Sequence, residues 1–125
     1  MNTGSAYELK GGLADLAPEI YRQRLVIEGI PAQPITDVQI STYLRDLGTV
    51  CGMTVLADPV THLSEAYGWA GWVHWETSGA HFYAWEKPRL FFSVDVYTCK
   101  PFDAAVAAEF TRKALGASVI AFKEF

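Results

Sequence analysis

The chain has 125 residues, half of them hydrophobic and only 19% charged, which excludes general disorder and gives room for one core. A formal net charge of -4, with Lys and Arg scattered along the chain, excludes a polyanion such as nucleic acid as the natural partner and suits a cationic small molecule. Cys51 and Cys99 are far apart and have no metal-type spacing, no apolar run approaches a membrane span, and no basic leader precedes an apolar stretch; a cytoplasmic protein with free thiols is expected.

Residues 1–20 are rich in Gly and Ala and read as an N-terminal arm, with a short helical turn over Leu13 to Leu16. The single domain is expected to occupy residues 21–125. Its first strand is Arg24 to Gly29, after which Pro31 and Pro34 force an extended loop. Thr36 or Asp37 caps a helix from Val38 to about Cys51, in which Ile40, Tyr43, Leu44, Leu47 and Val50 follow helical spacing and Gly52 is the stop.

Met53 to Ala57 reads as a strand ended by Asp58-Pro59, and the polar segment Thr61 to Gly68 as a loop. Two aromatic strands, Trp69 to Glu76 and Ala80 to Trp85, are joined around Ser78-Gly79. Arg89 to Thr98 is a further strand. Asp103 caps a helix from Ala104 to Leu115, Gly116 closes it, and Ser118 to Lys123 is the last strand. The order β-α-β-β-β-β-α-β predicts an α+β, two-layer sandwich: an antiparallel sheet with two helices on one face. Trp72 and Trp75 fall on opposite faces of one strand, so the second face is aromatic too. Such a face suits a dimer interface or a pocket for a sulfonium or ammonium ion, with about 0.5–2 kcal/mol per cation–π contact.

The stretch from Ala70 to Cys99 carries chemistry at a distinctive spacing: Ala70-Gly71, then Ser78, then Trp85, then Val94-Asp95-Val96-Tyr97-Thr98-Cys99. In order and spacing it resembles the small prokaryotic type of S-adenosylmethionine decarboxylase, and the resemblance spans about Tyr21 to Phe125. It implies S-adenosylmethionine or a related amino acid as substrate, a role in polyamine biosynthesis, and a homodimer. It also implies a pyruvoyl cofactor made from Ser78, with Cys99 as the thiol that reprotonates the α-carbon and Glu86, after Trp85, as the acid on the ribose hydroxyls. This chain departs from the family pattern at the processing groups: Thr77 stands at the cleavage-site Glu, Ala70 at an assisting Ser, and Tyr83 at the His that abstracts a proton. Losing general-base help costs about 10²- to 10⁴-fold per proton transfer. His81 shares a strand face with Tyr83 and is the substitute at hand.

Three readings stay open. The first is a decarboxylase in which Ser78 is processed, with Ser78, Cys99, Tyr83 and His81 catalytic and Glu86, Trp85, Trp72 and Glu76 binding substrate. The second is an uncleaved lyase or cyclase acting on the sulfonium, with Tyr83, His81 or Glu76 as acid or base. The third is a non-catalytic partner of an active decarboxylase. His62, His74 and His81 have no ligand spacing, and no metal is expected.

Overall fold

The structure, a computed structural model, describes residues 6–125. Residues 1–5, the beginning of the expected arm, lie outside the described residues. From Ala6 to Arg22 the backbone forms turns and irregular segments, and the helical turn expected over Leu13 to Leu16 does not form. The segment is tied back by Arg22, whose guanidinium donates to the Asp15 carboxylate and, at 2.7 Å, to the carbonyl of Ala17.

Eight elements follow: β1 (Gln23–Pro31), α1 (Asp37–Val50), β2 (Val60–Ser64), β3 (Gly68–Trp75), β4 (Ser78–Trp85), β5 (Phe91–Thr98), α2 (Ala104–Leu115) and β6 (Ala117–Glu124). The strands make one antiparallel sheet in the order β2-β3-β4-β5-β1-β6, and both helices lie on one face of it, as expected. The topology accounts for that one-sidedness. The crossover from β1 through α1 to β2 runs toward one edge, and the crossover from β5 through α2 to β6 runs toward the other edge from a strand of opposite direction. If both connections are right-handed, reversing direction and displacement together puts the two helices on the same side.

Local chemistry sets the helix ends. Thr36 caps α1 with a reciprocal box: the Gln39 N–H donates to Thr36 Oγ1 at 3.2 Å, and the Thr36 N–H donates to Gln39 Oε1 at 3.0 Å. Asp103 caps α2 by accepting from the Val106 N–H at 3.1 Å, and Gly116 ends it at φ 61°.

Two expectations about the strands are corrected. Met53 to Ala57 is no strand; it makes a single bridge, Val55 to Trp75, because Asp58-Pro59 interrupts pairing before it can propagate. The strand forms instead within the segment read as a loop, as β2 at the sheet edge, where its exposed residues need no apolar pattern. The β3–β4 turn is Glu76-Thr77, not Ser78-Gly79, since Ser78 pairs with Trp75 and Gly79 with His74. Gly79 is glycine for a different reason: a Cβ there would lie 2.6 Å from the Val73 carbonyl oxygen.

The core lies between sheet and helices. Phe82 stacks on Phe92 with ring centroids 5.6 Å apart and meets the edge of Tyr43 at 5.4 Å, and Tyr43 in turn stacks on Phe110 of α2. The Tyr43 hydroxyl lies 2.7 Å from Thr111 Oγ1, which donates to the Ala107 carbonyl at 2.8 Å, so Tyr43 is the donor of the pair. Burial pushes the Tyr43 phenol far up and keeps it neutral. Tyr43→Phe removes this polar link between the two helices while keeping the ring. A loss of about 1 kcal/mol is expected in urea unfolding, with the slope unchanged.

Candidate functional site

The opposite face of the sheet is not covered by helices, and its side chains stand in rows because strand pairs align residues directly across from one another. One row runs His74, Gly79, Tyr97, Arg24; the next runs Trp72, His81, Asp95, Val26; a third runs Ala70, Tyr83, Ser93, Glu28. Over the first of these rows and the β3–β4 turn lies a cleft of about 660 Å³, lined by Thr77, Ser78, His74, His81, Tyr83, Asp95, Tyr97 and Arg24 among others. That volume falls within the range of small-molecule sites, about 300–1,000 Å³.

At the mouth of this cleft the turn and the end of β5 form a cluster of two hydroxyls and a thiol. The Cys99 N–H donates to Ser78 Oγ at 3.1 Å, and Ser78 Oγ donates to Cys99 Sγ at 3.6 Å. Thr77 Oγ1 contacts Cys99 Sγ and donates to the carbonyl oxygen of Glu76 at 2.7 Å. Thr77 has φ 54°, an outlier for a β-branched residue that costs on the order of 1–3 kcal/mol. Ser78 is buried with its side chain on the helix side of the sheet, whereas Thr77 is exposed in the turn.

Hydrogen bonding by Thr77, whose single proton turns from the Glu76 carbonyl to the sulfur when the thiolate forms, and then by Ser78 holds the Cys99 thiol below its usual range; the Cys99 backbone N–H and Lys100 add to this, and burial opposes it. Cys51, by contrast, is pushed up to about 12 by burial at the C-terminal end of α1. Native alkylation by iodoacetamide is therefore expected at Cys99 alone. Its rate should rise with pH through a midpoint below the ordinary thiol value of about 8.5. Thr77→Val should move that midpoint up, and an unmoved midpoint would show that Thr77 does not hold the thiolate.

The residues singled out in the sequence fall into three groups. His81 and Tyr83 stand on the cleft face, Ser78 borders the cleft with its side chain turned to the helix side, and Cys99 abuts Ser78; the Tyr83 hydroxyl is 3.5 Å from His81 Nδ1. Trp72 lies on the same face beside His74, with ring centroids 5.1 Å apart, and Glu76 contributes its backbone carbonyl to the cluster while its side chain is exposed. Trp85 and Glu86 lie at the far end of β4, about 23 Å from Ser78 at about 3.3 Å per residue. There Trp85 packs on Tyr67, and Glu86 borders a separate cavity of about 270 Å³ with Leu63, Tyr67 and Lys87. Within one chain, Glu86 does not reach the Ser78 cleft.

Arg24, His74, Asp95 and Tyr97 line the cleft without having been singled out as site residues. Asp95 had a legible signal, a charge at the centre of an otherwise apolar strand. Arg24 did not, because only the pairing of β1 with β5 lays its guanidinium over the Tyr97 ring, 4.9 Å from the centroid. Among the described residues no group of three His, Cys, Asp or Glu side chains is placed to hold a metal, and no helix is long and apolar enough to cross a membrane.

The model of the family described as S-adenosylmethionine decarboxylase matches residues 26–125. Among solved structures, the crystal structure of the adenosylmethionine decarboxylase from Aquifex aeolicus is similar in fold. Its TM-score is 0.67 at 17% identity, covering 85% of this chain and 89% of that one. No curated protein matches the chain.

Proposed function

We propose, because this chain belongs to the S-adenosylmethionine decarboxylase family, that it acts on S-adenosylmethionine or a related amino acid in the cleft beside the Thr77–Ser78–Cys99 cluster. The observation that carries this reading is the pairing of a reactive thiol with an aromatic cleft that offers both signs of charge. Asp95 and the face of Tyr83 suit a sulfonium or ammonium, and Arg24, stacked on Tyr97, suits a carboxylate; among the described residues neither Arg24 nor Asp95 has an ion-pair partner. In this reading Cys99 moves a proton at the α-carbon, and His81 and Tyr83 orient the substrate from β4. Trp72 extends the aromatic floor. The apolar and aromatic residues left open on this face are those a second copy would cover, and a homodimer in the cytoplasm accords with them; Glu86 and Trp85 would then act from the partner's side of the interface, if at all.

A pyruvoyl group, which supplies an electron-withdrawing ketone for loss of carbon dioxide, does not fit Ser78 well. Both hydrogen bonds of its hydroxyl run to Cys99, and none runs to the Thr77 carbonyl. Tyr83 and Ala70 lie on the opposite face of the sheet from the Ser78 side chain.

The lyase or cyclase reading is favoured by one observation, the Tyr83–His81 pair, which puts a base beside the aromatic floor without any further group. Incubation with carboxyl-labelled S-adenosylmethionine separates the readings. Labelled carbon dioxide is expected for decarboxylation, methylthioadenosine for lyase or cyclase chemistry, and neither product would overturn both and leave only binding.

A further inference from the structure

We propose that the N-terminal arm adds a strand to the free edge of β6 in a second copy of this chain, the two copies exchanging arms reciprocally. The arm lies outside the residues that match the family, and its large apolar side chains are unpacked: Tyr7 is 79% and Leu9 86% exposed, and Leu13 and Leu16 are similarly open. Tyr7-Glu8-Leu9-Lys10 alternates apolar and charged residues with the period of a strand that has one apolar face. The edge that fits it is β6, which pairs with β1 on one side and with nothing among the described residues on the other. The Phe125 N–H donates to the Arg24 carbonyl at 3.0 Å, which fixes the alternation along the pair: Val119, Ala121 and Lys123 turn their backbone groups to β1, and Ile120, Phe122 and Glu124 turn theirs outward. The side chains of these last three lie on the helix side of the sheet, where Phe122 is half exposed. An apolar edge of this length without proline is a template for another strand.

One register satisfies the backbone and both faces. With Glu8 set antiparallel opposite Lys123, Leu9 meets Phe122 and Tyr7 stands diagonally beside it on the helix side, while the outward backbone groups of Phe122 and Ile120 meet those of Leu9 and Gly11. On the open face Glu8 lies beside Lys123, and Lys10 falls opposite Ala121, whose methyl leaves the way clear to Glu28 across from it on β1. Among the described residues Lys123 and Glu28 have no ion-pair partner, and Glu8 and Lys10 pair only with each other, 3.6 Å apart and exposed. A slip by one residue would turn Glu8 and Lys10 onto the apolar side, and a parallel strand that kept Leu9 beside Phe122 would set Lys10 beside Lys123. The occupant is the arm of a second copy because of how the chain's own arm is held. In this register Gly11 sits beside Ile120, level with Gly29 and about 20 Å along β1 from Gln23. Arg22 meanwhile ties Asp15 and Ala17 down next to the start of β1, so the arm returns along its own edge only if that tie opens. The edge of a second copy imposes no such limit, and exchange about a two-fold axis covers both edges at once. The exchange goes beyond the substrate reading and does not depend on it.

Disulfide cross-linking of the full chain reads the register directly. Two forms are made, both with Cys99→Ser to remove the exposed thiol; one carries Glu8→Cys and the other Lys123→Cys. Positions 8 and 123 would face each other as a non-hydrogen-bonded pair with Cα atoms about 4.5 Å apart, within reach of a disulfide. Mixed under mild oxidation, the two forms are expected to give a linked heterodimer as the main product. Lys10→Cys with Lys123→Cys, the pair that a parallel strand would join, should stay unlinked. Leu9→Pro, at an exposed position of the arm, removes an N–H that the added strand needs and should abolish the link, with circular dichroism unchanged. A chain carrying both Glu8→Cys and Lys123→Cys should link to another copy and not to itself. Absence of the heterodimer, a link closed within one chain, equal linking of the Lys10→Cys pair, or a link that survives Leu9→Pro would each overturn the proposal.

Discussion

Cys99→Ala is expected to lower turnover of S-adenosylmethionine by about 10²- to 10⁴-fold, the range for loss of a positioned proton-transfer group. The thiol follows the last residue of β5, contacts the hydroxyls of Thr77 and Ser78, and is only partly buried, so its removal disturbs the reacting region and little of the core. KM should change much less than kcat, because Arg24, Asp95 and the aromatic rows proposed to hold the substrate are untouched. In the wild type, a limb of the pH–rate profile should lie below the ordinary thiol value of about 8.5, following the depressed Cys99 titration, and this limb should vanish in the variant. A variant within a few-fold of wild type at every pH would remove Cys99 from the chemistry.

The second large effect is structural. Phe82→Ala is expected to cost about 3–5 kcal/mol, against a total stability of about 5–15 kcal/mol for a typical domain. Phe82 is fully buried at the middle of β4 and touches both Phe92 of β5 and Tyr43 of α1, so its ring joins the central strands to the helix layer. Truncation leaves a cavity bounded by two other rings on a paired backbone, which limits how far the site can collapse. Equilibrium urea unfolding measures the loss. A change below about 1 kcal/mol would mean that α1 moves in to fill the space, a degree of relaxation rarely seen in close-packed interiors.

The strongest local signals matched the structure because they involve neighbours in sequence. The cap at Thr36, one of the two residues expected there, the Asp103 cap and the Gly116 stop are interactions across a few residues, and they hold wherever the helix packs. Alternation in Trp69 to Trp75 and Phe91 to Thr98 likewise assigned each side chain to a face: Val73 and Trp75 in the core, Trp72 and His74 outside. Glycine was less transparent, because a turn and a close cross-strand contact leave the same mark in a sequence. Gly79 therefore misplaced the β3–β4 turn by two residues: the turn falls on Glu76, expected as the last position of a strand, and on Thr77. The consequence for the site is large, since the conformation that strains Thr77 is the one that brings its hydroxyl to the Glu76 carbonyl.

From its sequence alone, this chain specifies an α+β fold with six strands and two one-sided helices, an aromatic second face, and, through the family spacing, Ser78 and Cys99 as candidate site residues. Periodicity, capping chemistry and family spacing carry that information, and all of them are local or linear. Tertiary structure alone decided three things: that Arg24 and Asp95 face the same cleft, that Glu86 lies at the opposite end of β4, and that Thr77 rather than Ser78 presents its hydroxyl to the preceding carbonyl. Each depends on strand order, register or one backbone dihedral, which are set by how distant segments pair and how a two-residue turn closes between them.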